Sequence, residues 1–480
     1  MNEGNLEWKE VLEHIAPYPS VEEIDQMWLA AAEKIEGKII VLDDDPTGVQ
    51  TVHSIPVYTS WDRDTLKQVL ADESKLCYIL TNSRALTSGE TEKLHRQLAM
   101  DLREVTAEKN LGFFLISRSD STLRGHYPIE TQTLYEELEA DKVIDGEIIT
   151  PFFLEGGRLT IDDVHYVREG NSLVPAGQTE FARDSTFGYR SSDLKEWVEE
   201  KTMGKYLARN VSSVSLEELR KKDIQGIVSK LESVTGYNKV IVNAVEYTDL
   251  KVFLIGLVDA LSKGKHFLFR TAASFVQVAG GIKPKELLTI ETLYPGGKAP
   301  NPGLVVVGSY VQKTTKQLQA LQKNPNMTFV EWNVSQAETY SKLNTEVERV
   351  VKSVEDAFNT SRDACVYTSR DFLGGAARGK DSEEDLIFSA RVSEGLVRVV
   401  QGLKISPGFL VAKGGITSSD IGVKGLEVKR AMVMGQILPG VPVWELGPES
   451  RFPGLPYVVF PGNVGDEGAL RRIVDILRGQ

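Results

Sequence analysis

Three short segments carry residues that could act on a small, hydroxylated anion. Asp43-Asp44-Asp45-Pro46-Thr47-Gly48 sets three carboxylates side by side. Carboxylates this close raise one another's pKa, so the group needs a cation, a proton or a donor-rich ligand. It suits a hydroxyl clamp or a general base; the plainer reading is an Asx-type turn with proline second. Thr81-Asn82-Ser83-Arg84 and Ser117-Arg118-Ser119-Asp120-Ser121-Thr122-Leu123-Arg124-Gly125 supply three arginines and several short hydroxyls. A guanidinium fork grips a carboxylate or phosphate with two parallel bonds. The plainer reading is that Arg84, Arg118 and Arg124 neutralise the aspartates, and both readings can hold together. Asp120-Ser121-Thr122 can cap the helix expected from Pro128, and His126 could reach a ligand. Gly156-Gly157-Arg158 is either a third wall of the same pocket or an ordinary turn.

Each acidic or basic cluster follows an apolar run: Ile39–Leu42, Cys77–Leu80 and Phe113–Ile116. Such runs, separated by helical stretches at 88–105 and 128–140, read as buried parallel strands. Ligands of open α/β sheets bind beyond the carboxyl ends of the strands, so the clusters are expected to converge. Around 156–186 the pattern shortens and alternates, which predicts an antiparallel excursion. Helices follow near 192–202 and 215–235, then strands at 239–243 and 267–270.

Three prolines and three glycines within 294–303 predict a linker. A second strand–helix series follows, with strands at 304–307, 328–332, 364–367 and 408–412 and long helices at 336–359 and 383–403. Lys413-Gly414-Gly415-Ile416-Thr417-Ser418-Ser419-Asp420 follows a strand; its glycines could expose amides to phosphate, with Thr417 as N-cap and Asp420 three residues on. A tight strand-to-helix turn explains it equally. Phe460-Pro461-Gly462-Asn463-Val464-Gly465 is a second glycine loop after a strand. Gly308-Ser309 begins a third such turn, but it lacks the second glycine of a Walker A loop. The fold class expected is α/β, with two domains, each a mainly parallel sheet flanked by helices. The domains run as a helical lead-in at 1–35, a first domain at 36–293, the linker, and a second domain at 304–480.

The chain has 480 residues, ordinary globular composition and a formal net charge of −13, which disfavours nucleic acid or an anionic membrane as partner. Cys77 and Cys365 lie in separate apolar runs, as reduced buried thiols do. No zinc spacing and no apolar run of about 20 residues occurs. The acidic N-terminus lacks a signal-peptide pattern, so a cytoplasmic location is expected.

These segments, in this order, resemble the four-carbon acid sugar kinase family, whose members phosphorylate D-threonate, D-erythronate or 3-oxo-tetronate with ATP. The resemblance spans about residues 37–475. Asp44-Asp45-Pro46-Thr47-Gly48 is similar to the family's D-D-x-T-G loop. Arg118 to Gly125 is similar to K-x-D-S-T-L-R-G, with arginine for lysine. Pro151 to Arg158 is similar to P-A-F-P-x-x-G-R, and Glu180 and Asp184 fall at later acidic positions. Gly308-Ser309, Gly414 to Thr417 and Phe460 to Gly465 are similar to its three nucleotide loops. The chain departs from the pattern at Asp45-Pro46, at Ile416 in place of an acid, and at Phe460 in place of a lysine.

The resemblance implies ATP and Mg²⁺ as cofactors and a small sugar acid as substrate, and it leaves room for a homodimer. It implies catalytic roles for Asp44, Asp45 and Asp120. Substrate contacts fall to Asp43, Thr47, Arg84, Arg118, Ser121, Thr122, Arg124, Gly157 and Arg158. Nucleotide contacts fall to Ser309, Gly414, Gly415, Ile416, Thr417, Gly462, Asn463, Val464 and Gly465. Two other readings are a metal-dependent hydrolase built on Asp43–Asp45 and a ligand-sensing module without catalysis.

Overall fold

The structure is a computed structural model that describes residues 6–109, 111–370, 383–462 and 464–480. It divides into two compact units, Met1–Thr51 with Ser60–Pro284 and Val52–Thr59 with Lys285–Gln480.

The first unit is built on a parallel sheet. Its strands, in spatial order, are Ser212–Val214, Asn238–Val242, Gly146–Thr150, Phe267–Thr271, Phe113–Arg118, Lys38–Asp43 and Leu76–Leu80. Ile39, Ile40, Val41, Cys77, Ile79 and Ile116 have no exposed surface, as strands covered on both faces require. Lys38–Asp43 is the first of these strands in the chain, and later strands flank it on both sides. It therefore marks the switch point of the sheet, where the crevice for a ligand opens. Register makes the strand ends level: Asp43 lies opposite both Leu80 and Arg118, and Arg118 opposite Thr271. The antiparallel excursion is present as Arg158–Ile161, Val164–Glu169 and Ser172–Pro175, with Leu6–Glu7 on its edge. The lead-in forms two helices, Trp8–His14 and Val21–Ala32, broken in the Pro17–Pro19 region.

In the second unit, Met327–Trp332, Asp363–Thr368, Leu304–Val307, Leu410–Lys413 and Pro456–Phe460 are parallel neighbours in that order. Beyond them lie three antiparallel strands that the sequence reading did not propose: Val441–Leu446, Arg430–Leu438 and Ile55–Tyr58. Val52–Thr59 thus packs with the second unit although it lies inside the sequence span 36–293. Segment 294–303 has no regular structure, yet Tyr294 and Ala299 are buried in this unit's core with Phe409 and Leu477. The helix expected from 336 begins at Tyr340, where the Thr339 side chain accepts from the Lys342 amide at 3.4 Å; a 3₁₀ turn, Val334–Glu338, precedes it. Among the described residues no helix is long and apolar enough to cross a membrane, and both cysteines are buried and outside any disulfide.

Candidate functional site

At the switch point the chain assembles a compact ion network. Asp43 and Asp44 are 1% and 2% exposed. Arg84 grips Asp44 with Nη2 at 2.6 Å and Nε at 3.1 Å, and its Nη1 lies 3.5 Å from Asp45 and 4.0 Å from Asp120. Arg118 Nη1 lies 3.0 Å from Asp43 and 3.5 Å from Asp44. Arg124 Nε donates to Asp120 at 2.7 Å, and its Nη1 is 3.8 Å from Asp184. The three clusters therefore meet, and these arginines do neutralise the aspartates. Asp45 also makes the Asx turn, accepting from the Thr47 amide at 2.8 Å and its hydroxyl at 2.5 Å.

Protonation differs within the group. Burial pushes Asp43 up to about 7, with Asp44 and Asp45 adding to it against Arg118. Burial also raises Asp44, against the pull of Arg84 and Arg118. Burial acts the same way on Asp45 and Asp120, but there Arg84 and hydrogen bonds win. Asp45 is held below its ordinary value, and Asp120, paired also with Arg124, well below the usual carboxylate range. The network so raises the proton affinity of Asp43 and Asp44 while lowering that of Asp45 and Asp120.

One glycine here is dictated by a carboxylate and another by its backbone. A Cβ on Gly48 would sit 2.0 Å from an Asp43 oxygen. Gly125 has φ +118°, and a Cβ there would lie 3.4 Å from Asp44 Oδ2.

Arg158 stands apart. Nη1 donates to the Gly156 carbonyl, Nε is buried without a partner, and no carboxylate is in ion-pair range among the described residues. Its guanidinium lies 5.7 Å from the Phe181 ring centre, and that of Arg124 lies 5.1 Å from the same ring. Gly157 has φ +70° and backs onto Arg168. Glu180 is exposed. His126 is occupied by the framework rather than open to a ligand: Nε2 donates to the Leu86 carbonyl at 2.9 Å, and Phe187 packs edge-on against its ring.

Sequence reasoning missed Glu130 and Arg270. Buried Glu130 accepts from Ser83 at 2.6 Å and from Ser119 at 3.4 Å, tying two strand-end loops together. Its only signal was a place in the first turn of helix Ile129–Leu138, where acids are common. Arg270 hides inside an apolar strand, where nothing marks it.

The second unit gathers three loops at level strand ends, with Val307 opposite Lys413 and Lys413 opposite Phe460. Thr314 Oγ1 donates to the Gly462 carbonyl at 3.1 Å and lies 3.2 Å from Ser309 Oγ. A Cβ on Gly414 would fall 3.0 Å from Ser309 Cβ, and one on Gly462 3.3 Å from Ser309 Oγ. Ser309, Gly414, Thr417 and Gly462 therefore form one small cradle that side chains would fill. Gly414, at φ +122°, is the N-cap of helix Gly415–Asp420. Thr417 is thus inside the first turn and not the cap, because the glycine's backbone starts the helix three residues earlier. Asp420 instead accepts from Ser393 and pairs with Lys424. Ile416 is 70% exposed, and Val464 packs on the core, its carbonyl accepting from Gln317 at 3.0 Å. Gly465 has φ +80° and backs onto Ala469. Asn463 lies outside the described residues.

Two cations beside this cradle were not foreseen. Lys413, fully buried, donates to the Pro461 carbonyl at 2.5 Å and lies 3.6 Å from the Phe460 ring centre; burial, aided by Lys313, lowers it to about 7. Arg370 donates to the Ser309 carbonyl at 2.5 Å, while its Nε and Nη2 are buried without partners.

A sheet crevice lined with acid, arginine and hydroxyl groups, and a separate glycine cradle at a helix start, define a protein with one domain for sugar and one for nucleotide. Comparison bears this out: a family model described as a sugar-binding N-terminal domain matches residues 39–279, and one described as a nucleotide-binding C-terminal domain matches 304–470. The chain belongs to the family that these two domains define. No curated protein matches it. Two solved structures show the same fold. One, a Haemophilus influenzae protein of the family DUF1537, is 18% identical, with 91% of this chain and 100% of that one covered and a TM-score of 0.61. The other, a Salmonella typhimurium LT2 protein provisionally called a tRNA synthase, is 15% identical, with 91% and 98% covered and a TM-score of 0.65.

Proposed function

We propose that the protein is an ATP-dependent kinase that phosphorylates a hydroxyl of a small, four-carbon sugar acid. The observation that carries this reading is the charge pattern at the switch point. Arg84, Arg118 and Arg124 are already matched to carboxylates, whereas Arg158 has none. A half-buried guanidinium without an anion is a costly arrangement that a substrate carboxylate would relieve. Arg158, with Arg124 against the same Phe181 ring, is therefore assigned to the carboxylate, and Ser121, Thr122 and Thr47 to substrate hydroxyls. Asp45, the most exposed of the acidic triplet, is assigned to take the hydroxyl proton; Asp44 holds Arg84 and Arg118 in place.

Gly414 and Gly462 leave the backbone beside Ser309 uncovered by side chains, which supports phosphate contact there and so fits ATP. Mg²⁺ fits less directly. Among the described residues no three His, Cys, Asp or Glu side chains converge as ligands. A magnesium ion is commonly held mostly by the phosphates. Positioning and charge neutralisation dominate phosphoryl transfer, which suits a site built of arginines. The same arginines disfavour the hydrolase reading, because Asp43 and Asp44 already direct oxygens at guanidinium groups.

The test is ADP formation with Mg²⁺ across four- to six-carbon aldonates and their keto forms, with wild type and Arg158→Gln run together. Turnover is expected on at least one acid. The variant should lose ~1.5–3 kcal/mol of charge-assisted bonding, a roughly ten- to hundredfold rise in KM for the acid, with KM for ATP unchanged. Folded protein that turns over none of the acids contradicts the kinase; ATP binding without turnover would favour the sensing module.

A further inference from the structure

The loop 119–125 is held from behind in a way that its own sequence does not explain. Leu123 sits at φ +67°, a left-handed conformation that a leucine populates sparsely unless the surroundings over-determine it, and Gly125 follows at φ +118°. Three side chains from distant parts of the same unit supply that determination. His165 Nε2 donates to the Ser121 carbonyl at 2.8 Å. The Tyr189 hydroxyl donates to the Thr122 carbonyl at 2.8 Å and is also 3.3 Å from the Ala176 carbonyl. Arg270 Nη2 donates to the Arg124 carbonyl at 3.3 Å. All three are at least nine-tenths buried, at 0%, 5% and 1% exposure.

Two of the donors are themselves fixed. Thr160 Oγ1 lies 3.0 Å from His165 Nδ1, which accepts because Nε2 must carry the proton to donate. Burial lowers His165 to about 4, so this neutral form persists at physiological pH. The Arg270 guanidinium is 4.9 Å from the Trp197 ring centre and 5.3 Å from that of Tyr127, and its Nε and Nη1 find no hydrogen-bond partner. Among the described residues its one hydrogen bond therefore goes to the loop. Within a trans peptide, C=O and N–H point opposite ways. Drawing the carbonyls of Ser121, Thr122 and Arg124 towards the interior turns the amides of Thr122, Leu123 and Gly125 away from it. The Leu123 amide is taken by the Asp120 carbonyl at 3.1 Å, which leaves the other two to face a ligand oxyanion.

We propose that His165, Tyr189 and Arg270 are positioning residues, a buried donor cradle that sets the 119–125 loop, and with it the Asp120–Arg124 pair and the amides of Thr122 and Gly125, in the conformation that receives the sugar acid. This rests on the kinase reading for its substrate but not for its geometry, and the test separates the two. Tyr189→Phe removes one oxygen and keeps the ring, and Arg270→Met and Arg270→Lys bracket the cation. Hydrogen exchange of the ligand-free proteins is followed at residues 121–125 together with steady-state kinetics. The expected result for Tyr189→Phe and Arg270→Met is exchange of the Leu123 amide, the one bonded to the Asp120 carbonyl, faster by about tenfold or more, with the neighbouring strands unchanged. Their efficiency with the sugar acid should fall by a similar factor while KM for ATP holds, and Arg270→Lys should recover part of both. Unchanged loop exchange overturns the cradle, as does faster exchange spread evenly over the unit. A loosened loop with wild-type kinetics overturns the positioning role. If wild type turns over no sugar acid, the kinase reading fails alone, and the exchange data still decide the cradle.

Discussion

Asp44→Asn is expected to abolish most turnover while ATP affinity stays within about twofold of wild type. Asp44 is nearly inaccessible, and its oxygens meet Arg84 at 2.6 and 3.1 Å and Arg118 at 3.5 Å. An amide keeps the shape but removes the charge, leaving two guanidinium groups to share Asp43 and Asp45. Breaking a buried pair by neutralising one partner costs ~3–5 kcal/mol. Here the lower end applies, because the Arg84 side chain is 19% exposed and Asp45 remains beside it. The expectation is a lower melting temperature, Arg84 displaced from Asp45 and Asp120, and folded protein that turns over poorly even at saturating sugar acid. Nucleotide binding is assigned to the other unit and should not change. Turnover, thermal unfolding and calorimetric ATP titration on one preparation check all three. Loss of ATP binding as severe as the loss of turnover would refute the division of labour.

The converse is expected of Gly414→Ala. At φ +122° an L-residue is strained whatever the space, on the order of 1–3 kcal/mol, and its methyl would press on Ser309 Cβ at 3.0 Å and Thr417 Oγ1 at 3.1 Å. ATP affinity should fall about tenfold or more, with sugar-acid binding in the first unit unchanged. Gly462→Val should act in the same direction, since a side chain there fills the space beside Ser309. Calorimetric titration with each ligand separately reads the result. If ATP affinity survived both changes, phosphate would have to bind elsewhere in the second unit.

The strands that carry these residues were legible because a doubly covered strand is uniformly apolar and stops where charge begins. Ile39–Leu42 ending in Asp43 shows the pattern. The hairpin Arg430–Leu438 with Val441–Leu446 was not read. Buried Ala431, Val433, Gly435 and Ile437 alternate with half-covered Met432, Met434 and Gln436, a signal easily lost among helical patterns, and Gly440 at φ +77° marks its turn. The pairing of Ile55–Tyr58 with this hairpin joins residues more than 370 positions apart, and no local pattern can announce that. Within the site, the acidic and arginine clusters stood out by composition. Glu130, Arg270 and Arg370 did not, because the role of each depends on what folding brings next to it. Capping chemistry misled at Thr417 for the opposite reason: a strong local signal lost to the positive φ available only at Gly414.

The central claim is phosphoryl transfer from ATP to a sugar acid, and transfer of label from ATP carrying a radiolabelled γ-phosphate tests it most directly. Wild-type protein is incubated with Mg²⁺ and a four-carbon aldonate, and the products are separated. The account predicts label in a sugar-acid phosphate, dependent on the acid and lost in Asp44→Asn. Label released only as inorganic phosphate, or none released from folded protein with any aldonate, would contradict it.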